Sequence, residues 1–377
     1  MMEILDCIIV GGGAAGVGLG SLLQELGVTN FSILERGSVG ASFRMWPKEM
    51  RMITPSFTGN AYGMLDLNSV TLKTSPAYTL GTEHPSGEQY ADYLQAVADY
   101  KELPIQTGVD VTGIRPQPDG GFELDTSAGI MRCNYVIWAA GEFQYPALGG
   151  LPGSEYGIHS SLVKSWKEFQ GDEHIIIGGY ESGADAAIHL ARLGKKVTVI
   201  DRSPRWTLKG SSDPSMEISP YTKDRLREVE GGLVDLMAGY EAKWIEPADD
   251  GGYLVYCEGS ASGDSRFVKT TSPPILATGF RGSLSLIEHL FECDEHGAAL
   301  LNEYDESTVT PGLFVAGPSV RHEQLIFCFI YKFRQRFGVV AGAIAERLGL
   351  DTSVLEAYRQ QGMLLEDLSC CGEDCQC

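Results

Sequence analysis

The chain has 377 residues and a formal net charge of −21, with 50 acidic against 29 basic residues. Such a negative field repels nucleic acids and anionic membranes, so neither is expected as a partner. The length favours two domains, and a hydrophobic fraction of 43% suits a globular protein. No apolar run reaches the ~18 residues of a membrane-spanning helix, and no secretory signal precedes the first predicted strand. The sequence therefore predicts a cytoplasmic protein.

The chain is organised around its first 35 residues. An apolar run over 7–10 predicts a buried strand, which leads directly into Gly11-Gly12-Gly13-Ala14-Ala15-Gly16, a G-x-G-x-x-G turn. A leucine-rich helical pattern follows, and a strand over 31–34 ends at Glu35, nineteen residues beyond Gly16 (35 − 16). Gly11 permits the tight turn, Gly13 lets the backbone approach a pyrophosphate, and Gly16 lets helix and strand pack closely. Glu35 is placed to accept hydrogen bonds from a ribose, so this stretch predicts a dinucleotide site.

Loops and alternating strands follow this turn. Gly18 and Gly20, inside the first predicted helix, are interpreted as close-packing positions. The turn-rich stretch over 37–60 carries aromatic side chains and an arginine, which suits a ligand longer than a nucleotide, such as a flavin. Beyond it, the pattern predicts a helix over 87–100, a strand over 106–114, meander strands over 122–125 and 130–133, and a strand over 134–138.

The same plan then recurs. A strand over 175–177 leads into Gly178-Gly179-Tyr180-Glu181-Ser182-Gly183, a turn without glycine at its third position, and a later strand ends at Asp201. Two nucleotide-binding units in the same order are hard to explain by chance. Asp201 favours the free 2′-hydroxyl of NADH, whereas Arg202 and Arg205 either pair with the 2′-phosphate of NADPH or lie exposed in solvent. NADPH is the preferred prediction, with NADH as the alternative.

This order of elements resembles the two-dinucleotide-binding-domain flavoproteins, among them thioredoxin reductases and flavin-containing monooxygenases. The resemblance covers the chain to about residue 350. It implies an α/β fold of two Rossmann-like domains, with FAD on the first and NAD(P)H on a second domain inserted into it. The implied boundaries are 1–148 with 281–350 for the FAD-binding domain, 149–280 for the NAD(P)H-binding domain, and 351–377 for a cysteine-rich tail.

By the match of motifs, the resemblance implies two sets of cofactor-binding residues. The set for FAD is Gly11, Gly13, Ala14, Ala15, Gly16, Glu35, Arg36, Ser42, Arg44, Trp46, Thr54, Val111, Ala140, Gly141 and Gly317. The set for the nicotinamide nucleotide is Gly178, Gly179, Ser182, Gly183, Asp201, Arg202, Arg205, Thr278 and Gly279. A predicted helix over 337–348 would point its N-terminus at the flavin, where it stabilises negative charge on the reduced ring.

Two branches of this superfamily are similar to the chain. Small bacterial flavin monooxygenase-like proteins share the pattern over 40–44 and 54–55, and bacillithiol disulfide reductase-like proteins share the G-G-x-x-S form of the second turn. The chain departs from thioredoxin reductases by lacking C-x-x-C, and from the bacillithiol-type enzymes by having Ala15 in place of a cysteine. The monooxygenase fingerprint is distorted around His159.

The predicted reaction passes a hydride from NADPH to FAD and then electrons to oxygen, as in flavin monooxygenases. The alternative is an NAD(P)H-dependent reductase of a thiol or disulfide, a soft metal or a metalloid. A redox-sensing binding module is a third interpretation, which two intact nucleotide sites disfavour. The expected partner is a small-molecule substrate or a disulfide, and a homodimer with a second copy of the chain is the oligomer considered.

Two groups of residues are candidates for the second half of the reaction. His322, just after the last predicted strand, either handles a proton near the flavin or forms a surface pair with Glu323. Cys370, Cys371, Cys375 and Cys377 form a redox shuttle or soft-metal carrier, a zinc site, or a disordered end. The vicinal Cys370-Cys371 pair resembles the C-terminal tail of mercuric reductases, which makes these two thiols the candidate catalytic cysteines. The other cysteines are interpreted as buried structural thiols.

Overall fold

The computed structural model describes residues 4–57, 65–148, 150–210, 213–323 and 325–369. The strands are β1 (Ile4–Val10), β2 (Phe31–Glu35), β3 (Ile105–Thr107), β4 (Val111–Pro116), β5 (Phe122–Thr126), β6 (Gly129–Trp138), β7 (Ile158–His159), β8 (Glu173–Ile177), β9 (Lys196–Asp201), β10 (Val234–Ala238), β11 (Tyr240–Pro247), β12 (Tyr253–Gly259), β13 (Ser265–Thr270), β14 (Ile275–Leu276), β15 (Leu313–Val315), β16 (Arg321–His322) and β17 (Leu325–Ile326). The α-helices are α1 (Ala14–Glu25), α2 (Ala41–Arg44), α3 (Pro76–Leu80), α4 (Gly87–Tyr100), α5 (Glu181–Arg192), α6 (Pro220–Val229), α7 (Ile330–Phe333), α8 (Phe337–Arg347) and α9 (Leu355–Gln360). The predicted α/β class is confirmed.

These elements divide between two compact units. The first unit holds the described residues of Met1–Arg44, Pro55–Gln144 and Gly282–Cys377, and the second holds those of Met45–Thr54 and Tyr145–Arg281. The sequence placed the boundaries after residues 148 and 280, and the structure places them after residues 144 and 281.

The stretch over 45–54, with Trp46 and Thr54, differs from the prediction because it packs with the second unit and not the first. The N–H of Lys48 donates to the carbonyl oxygen of Lys164 at 3.0 Å. The carboxylate of Glu49 accepts hydrogen bonds from the hydroxyl of Ser165 at 2.7 Å and from the N–H of Trp166 at 3.1 Å. These contacts with residues more than 100 positions later determine the placement of the stretch.

The first unit is built on a sheet with the strand order β3-β2-β1-β6-β5-β4, and β15 also pairs with β6. β1 lies parallel between β2 and β6, with Val10 opposite both Leu34 and Trp138. β6 is one ten-residue strand where the sequence predicted two. Its first half pairs antiparallel with β5 and its second half lies between β1 and β15.

Two glycines let helix α1 pack closely against β2 and α8. A Cβ on Gly18 would overlap the ring of Phe337 in α8, and a Cβ on Gly20 would lie 2.6 Å from Cδ1 of Ile33 in β2. The interpretation of both glycines as close-packing positions is therefore confirmed. Since glycine in a helix interior costs about 1 kcal/mol relative to alanine, close contact with α8 and β2 is what offsets that cost here.

The described part of the predicted tail, 351–369, is an integral part of the first unit. Tyr358 of α9 is 1% exposed and donates its hydroxyl to Oε2 of Glu25 in α1 at 2.8 Å. The N–H of Leu365 donates to the carbonyl oxygen of Gln335 at 2.9 Å, and Nη1 of Arg336 donates to the carbonyl oxygen of Leu365 at 2.6 Å. The chain therefore returns to the start of α8 before it reaches its cysteine-rich end.

The second unit combines a parallel sheet with an antiparallel one. The parallel sheet has the order β10-β9-β8-β14-β7, and β11, β12 and β13 form a three-stranded antiparallel sheet. Helix α5 packs on β8 and β9 through apolar side chains that include Ala187 and Ile188, both fully buried. The other face of β8 packs against the antiparallel sheet through residues such as Ile175 and Val255.

The strand predicted over 106–114 is two strands, β3 and β4, because Gly108 adopts φ +74° and breaks the extended backbone between them. Within the described part of the chain, every helix is too short or too polar to cross a membrane.

Candidate dinucleotide-binding sites

The first glycine turn connects β1 to α1. Gly11 has φ +109°, and a Cβ there would lie 2.5 Å from the carbonyl oxygen of Ala139. A Cβ on Gly16 would overlap the carbonyl oxygen of Gly11, so Gly16 permits the close contact of helix and turn. A Cβ on Gly13, in contrast, would meet nothing within 4 Å. Since Gly13 caps α1 without any side-chain hydrogen bond, its open face and the free helix N-terminus fit a pyrophosphate.

Glu35 ends β2 and directs its carboxylate back onto this turn. Its Oε2 accepts the N–H of Gly12 at 2.7 Å, and its Oε1 accepts the N–H of Gly37 at 2.7 Å. Because each carboxylate oxygen can accept a second hydrogen bond, Glu35 remains able to bind the hydroxyls of a ribose. The backbone carbonyl of Glu35 accepts the N–H of Val109 at 3.0 Å. The predicted Val111 lies two residues further along, buried in β4.

Three of the predicted residues after Glu35 are engaged in polar contacts with other side chains of the first unit. Arg36 donates to Oε1 of Gln144, and Nε2 of Gln144 donates to the hydroxyl of Ser42 at 3.1 Å. Gln144, which the sequence did not single out, thereby joins two predicted residues. Arg44 pairs with Asp92 of α4 at 2.8 Å, so its guanidinium holds α2 against α4.

The predicted residues after β6 and β15 lie beside the first turn. The Cα of Ala140 would be 3.0 Å from a Cβ on Gly11, and Gly141 adopts φ +69°. Gly317 adopts φ +94°, and a Cβ there would lie 3.4 Å from Cβ of Ala15. The first unit thus brings Ala140 and Gly317 to the turn from two different strands.

His322 does not form the surface pair with Glu323 considered from the sequence. Its Nε2 lies 2.6 Å from Oδ1 of Asp305, which is fully buried, and its side chain is 14% exposed. Arg336 donates to both oxygens of Asp305, with Nε to Oδ2 at 3.0 Å and Nη2 to Oδ1 at 2.8 Å. His322 is therefore part of a buried charged cluster next to the start of α8, and its role in proton transfer stays a prediction.

The second glycine turn connects β8 to α5 with the same backbone plan. Gly178 adopts φ +96°, and a Cβ on Gly183 would overlap the carbonyl oxygen of Gly178. Gly16 and Gly11 make the same contact in the first turn. Asp201 ends β9, and its Oδ2 accepts the N–H of Gly179 at 2.6 Å while its Oδ1 accepts the N–H of Ser203 at 2.7 Å. The repeat predicted from the sequence therefore extends to the hydrogen bonds of the two acids.

Side chains that follow Asp201 cover part of this second turn. A Cβ on Gly179 would overlap the indole of Trp206, and the guanidinium of Arg205 lies 4.5 Å from the centre of the Tyr180 ring. Arg202 extends further out and pairs with Glu241 of β11 at 3.3 Å. Trp206 was not predicted as a site residue. The sequence feature that could have indicated it is its position directly after Arg205.

The remaining predicted nucleotide residues occupy two places in the second unit. Ser182 lies in the first turn of α5. Thr278 donates its hydroxyl to the carbonyl oxygen of Ala147, and the carbonyl oxygen of Gly279 lies 3.0 Å from Nε2 of His159. Burial lowers the pKa of His159, which favours the neutral ring. His159, around which the monooxygenase fingerprint is distorted, thus contacts the strand end predicted to line the nucleotide site.

Glu181, in the first turn of α5, is a second residue that the sequence did not single out. Its carboxylate accepts hydrogen bonds from the N–H of Ser219 and from the hydroxyl of Thr222 at 2.6 Å. Burial, with a smaller contribution from Asp185, raises the pKa of Glu181 despite these donors. An acidic group thus lies at the helix N-terminus where a phosphate would bind.

The cysteines within the described residues are free thiols. Burial raises the pKa of Cys133 and of Cys257 to about 12 and that of Cys7 well above its ordinary value, which suits structural thiols. Cys293 is exposed and Cys328 partly exposed, so for these two the interpretation as buried thiols is wrong.

No cluster of histidine, cysteine and acidic groups able to hold a metal is found among the described residues. Cys370, Cys371, Cys375 and Cys377 lie outside the described residues.

The chain has two glycine turns of matching geometry. Each turn follows a parallel strand and donates a backbone N–H to the acidic residue that ends the next strand. This arrangement defines a protein with two dinucleotide-binding units. The pyridine nucleotide-disulphide oxidoreductase family matches residues 8–317, and the chain belongs to this family. It is therefore an oxidoreductase, and the prediction of FAD together with a nicotinamide nucleotide as cofactors is confirmed.

Two comparisons point to bacillithiol-related reductases. The chain is 24% identical to bacilliredoxin reductase Bdr from Bacillus subtilis over 344 residues, which cover 90% of this chain and 97% of the relative. The structure of bacillithiol disulfide reductase Bdr from Bacillus cereus superimposes with a TM-score of 0.73 at 21% identity, over 92% of this chain and all of that one.

The chain also has the fold of a monooxygenase. The flavin-containing monooxygenase from Stenotrophomonas maltophilia superimposes with a TM-score of 0.65 at 17% identity, over 92% of this chain and all of that one. The likeness to these solved structures establishes the shared fold.

Proposed function

We propose that the protein is an NADPH-dependent disulfide reductase in which electrons leave FAD through the cysteines at the C-terminal end. The observation that carries this proposal is the anchoring of Leu365 at the start of α8, through Gln335 and Arg336. Cys370 follows Leu365 by five residues in the sequence, and a chain of five residues can span at most ~18 Å. The resemblance described above implies that the N-terminus of this helix points at the flavin.

The net reaction is NADPH + H⁺ + RS–SR → NADP⁺ + 2 RSH. FAD, when bound, supplies the two-electron chemistry between the nicotinamide and the disulfide. The first turn, with Gly13 and Glu35, holds FAD, and the second turn, with Gly183 and Asp201, holds the nicotinamide nucleotide. A dithiol formed by Cys370 and Cys371 then attacks the substrate disulfide, and is itself oxidised to a disulfide while two substrate thiols leave.

The charges near the second turn support NADPH as the donor. Both oxygens of Asp201 already accept backbone N–H groups, which compensates part of its charge. Arg202 and Arg205 follow within four residues, and Arg202 is 71% exposed at its side chain and able to turn toward a 2′-phosphate. Comparing kcat/KM for NADPH and NADH tests this choice, and a strong preference for NADH would contradict it.

A flavin monooxygenase reaction is the second candidate. The observation that favours it is that the cysteines within the described residues are free thiols, of which Cys7, Cys133 and Cys257 are buried. Oxygen reacts with reduced flavins without a redox-active cysteine pair. Relatives of both types share the fold, so the acceptor decides between the two functions.

The deciding experiment separates the two half-reactions. The holoenzyme is reduced anaerobically with NADPH and then mixed either with oxygen or with a disulfide, while flavin absorbance is followed. We expect fast reoxidation by the disulfide and slow reoxidation by oxygen. Fast reoxidation by oxygen alone would replace this proposal with the monooxygenase.

Truncation after Leu368 and the double substitution Cys370→Ser, Cys371→Ser test the tail. Both changes should leave reduction of FAD by NADPH intact and abolish disulfide turnover. Cys293→Ser serves as the control because Cys293 is an exposed thiol elsewhere in the first unit. Unchanged disulfide turnover in both tail variants would exclude the tail from the reaction. Repeating the assay with mercury(II) or arsenate as the acceptor tests the soft-metal alternative.

A further inference from the structure

The two glycine turns differ in what fills the space beside their second glycine. A Cβ on Gly12 would lie 3.0 Å from Cβ and 3.2 Å from Cγ of Glu35, so the acid itself fills that space. Asp201 is one methylene shorter than Glu35. A Cβ on Gly179 would overlap the indole of Trp206, which occupies the corresponding place.

We propose that Trp206 is the surface on which the adenine ring of the nicotinamide nucleotide stacks. This inference rests on the proposed function, which assigns the nicotinamide nucleotide to the second turn. If the adenosine ribose lies at the end of β9, with its 2′-phosphate toward Arg202 and Arg205, the base bonded to that ribose must lie beside the residues that follow Asp201. Trp206 is a large aromatic residue in contact with the turn at that position, and stacking on such a ring stabilises a bound base.

The indole is held in place before any ligand arrives. Trp206 belongs to the short helical turn Arg205–Thr207 and packs, half-buried, against the core of the second unit. Arg205 lies over the ring of Tyr180 and donates to the carbonyl oxygen of Ser215, which fixes the neighbouring residue. A rigid aromatic surface loses little entropy on binding, so preorganisation adds to the affinity.

The stacking surface is tested with 2′,5′-ADP, which contains the adenosine part of NADPH and no nicotinamide. Trp206→Ala should raise the Kd of 2′,5′-ADP and the KM of NADPH about tenfold. It should leave the rate of FAD reduction at saturating NADPH unchanged. Reduced nicotinamide mononucleotide, which has no adenine, should reduce FAD in the variant as fast as in the wild type. Trp206→Phe, which keeps an aromatic face, should retain most of the affinity.

Tryptophan fluorescence gives a second measurement that does not depend on turnover. Binding of 2′,5′-ADP should quench emission in the wild type, and this quenching should disappear in Trp206→Phe. Trp244→Phe is the matched control, because Trp244 lies in the same unit but stacks on Tyr256 of the antiparallel sheet, with ring centres 3.8 Å apart. Trp244→Phe should preserve the quenching.

Three results would overturn the inference. Equal affinity of Trp206→Ala and the wild type would show that the indole does not touch the base. Tighter binding in Trp206→Ala would show that the indole obstructs the site. Quenching that persists in Trp206→Phe would exclude the contact even if Trp206→Ala failed to fold. A wild-type enzyme that binds no 2′,5′-ADP and whose FAD is not reduced by NADPH would instead refute the proposed nicotinamide site itself.

Discussion

The first and second glycine turns share one backbone plan and differ in the chemistry that surrounds it. Both use a glycine of positive φ at the start, a glycine in contact with its carbonyl at the end, and an acid that accepts the N–H of the glycine between them. The first turn has an open third glycine, Gly13, and no acidic residue in the first turn of its helix. The second has Tyr180 at the third position and Glu181 at the start of its helix.

This difference matches the demands on two kinds of ligand. A tightly held cofactor benefits from an open cradle, because the backbone then reaches the pyrophosphate directly. A nucleotide that must leave after each turnover benefits from weaker phosphate contacts, since product release often limits kcat. We expect Tyr180 and Glu181 to weaken phosphate binding at the second turn, and Arg205 and Trp206 to bind the adenosine part of the nucleotide. Three changes test this comparison.

Gly13→Leu should have the largest effect. No atom lies within 4 Å of a Cβ at this position, so the variant should fold, but its side chain would fill the space for the pyrophosphate. We expect the purified protein to lack FAD, as measured by flavin absorbance, with an intact circular dichroism spectrum. Gly232→Leu, at an exposed glycine in the loop before β10, is the control and should retain FAD. Full FAD retention in Gly13→Leu would place the cofactor elsewhere.

The matched pair Gly16→Ala and Gly183→Ala should have the next largest effects. In each, the new methyl overlaps the carbonyl oxygen of the first glycine of its own turn, which costs about 1–3 kcal/mol or more. Gly16→Ala should release FAD, whereas Gly183→Ala should keep FAD but lose its reduction by NADPH. Flavin content and anaerobic reduction measure the two properties separately. Loss of the same property in both variants would contradict separate sites.

Glu181→Gln should have the smallest effect, visible in the pH dependence of stability. Burial raises the pKa of Glu181 in the folded state above its ordinary value of 4.5, so the folded state binds the proton more tightly than the unfolded state. The wild type should therefore lose stability as the pH rises above 4.5, by about 1.4 kcal/mol for each unit of the pKa shift. Glu181→Gln should lack this loss.

Thermal unfolding of both proteins at pH 5 and at pH 7.5 measures the difference. Glu88→Gln is the control, since Glu88 is an exposed acid in the first turn of α4. A wild type and a Glu181→Gln variant with parallel pH dependence would show that Glu181 does not titrate in this range.

The local features of both turns were predictable from the sequence because each depends on residues close together in the chain. Glycines at fixed spacing, and an acid at the end of the next strand, identify such a turn by steric necessity alone. The single strand β6 was not predictable in the same way. Its first seven residues are exposed or partly buried apart from Cys133, and only its last three, Val136 to Trp138, are all buried, so one strand has two patterns.

Contacts between distant parts of the chain were not predictable from local pattern. Glu49 joins the second unit through Ser165 and Trp166, and Tyr358 joins α1 through Glu25. Because these partners lie far apart in the sequence, the hydrophobic periodicity of a local segment does not indicate them. The contact of Trp206 with Gly179 belongs to the same class, because a tryptophan in a polar loop carries no signal of the surface it covers.

The first unit is assembled from segments that lie far apart in the chain. β15 enters its sheet by pairing Leu313 with Val136, which is 177 positions earlier (313 − 136). The second unit, apart from the stretch over 45–54, is continuous from Tyr145 to Arg281 and is complete well before that strand emerges from the ribosome. A nascent chain that stops short of residue 313 has both glycine turns but not the strand beside β6. We therefore expect the flavin to be held stably only after β15 has been made, and chains that end before residue 313 to stay colourless.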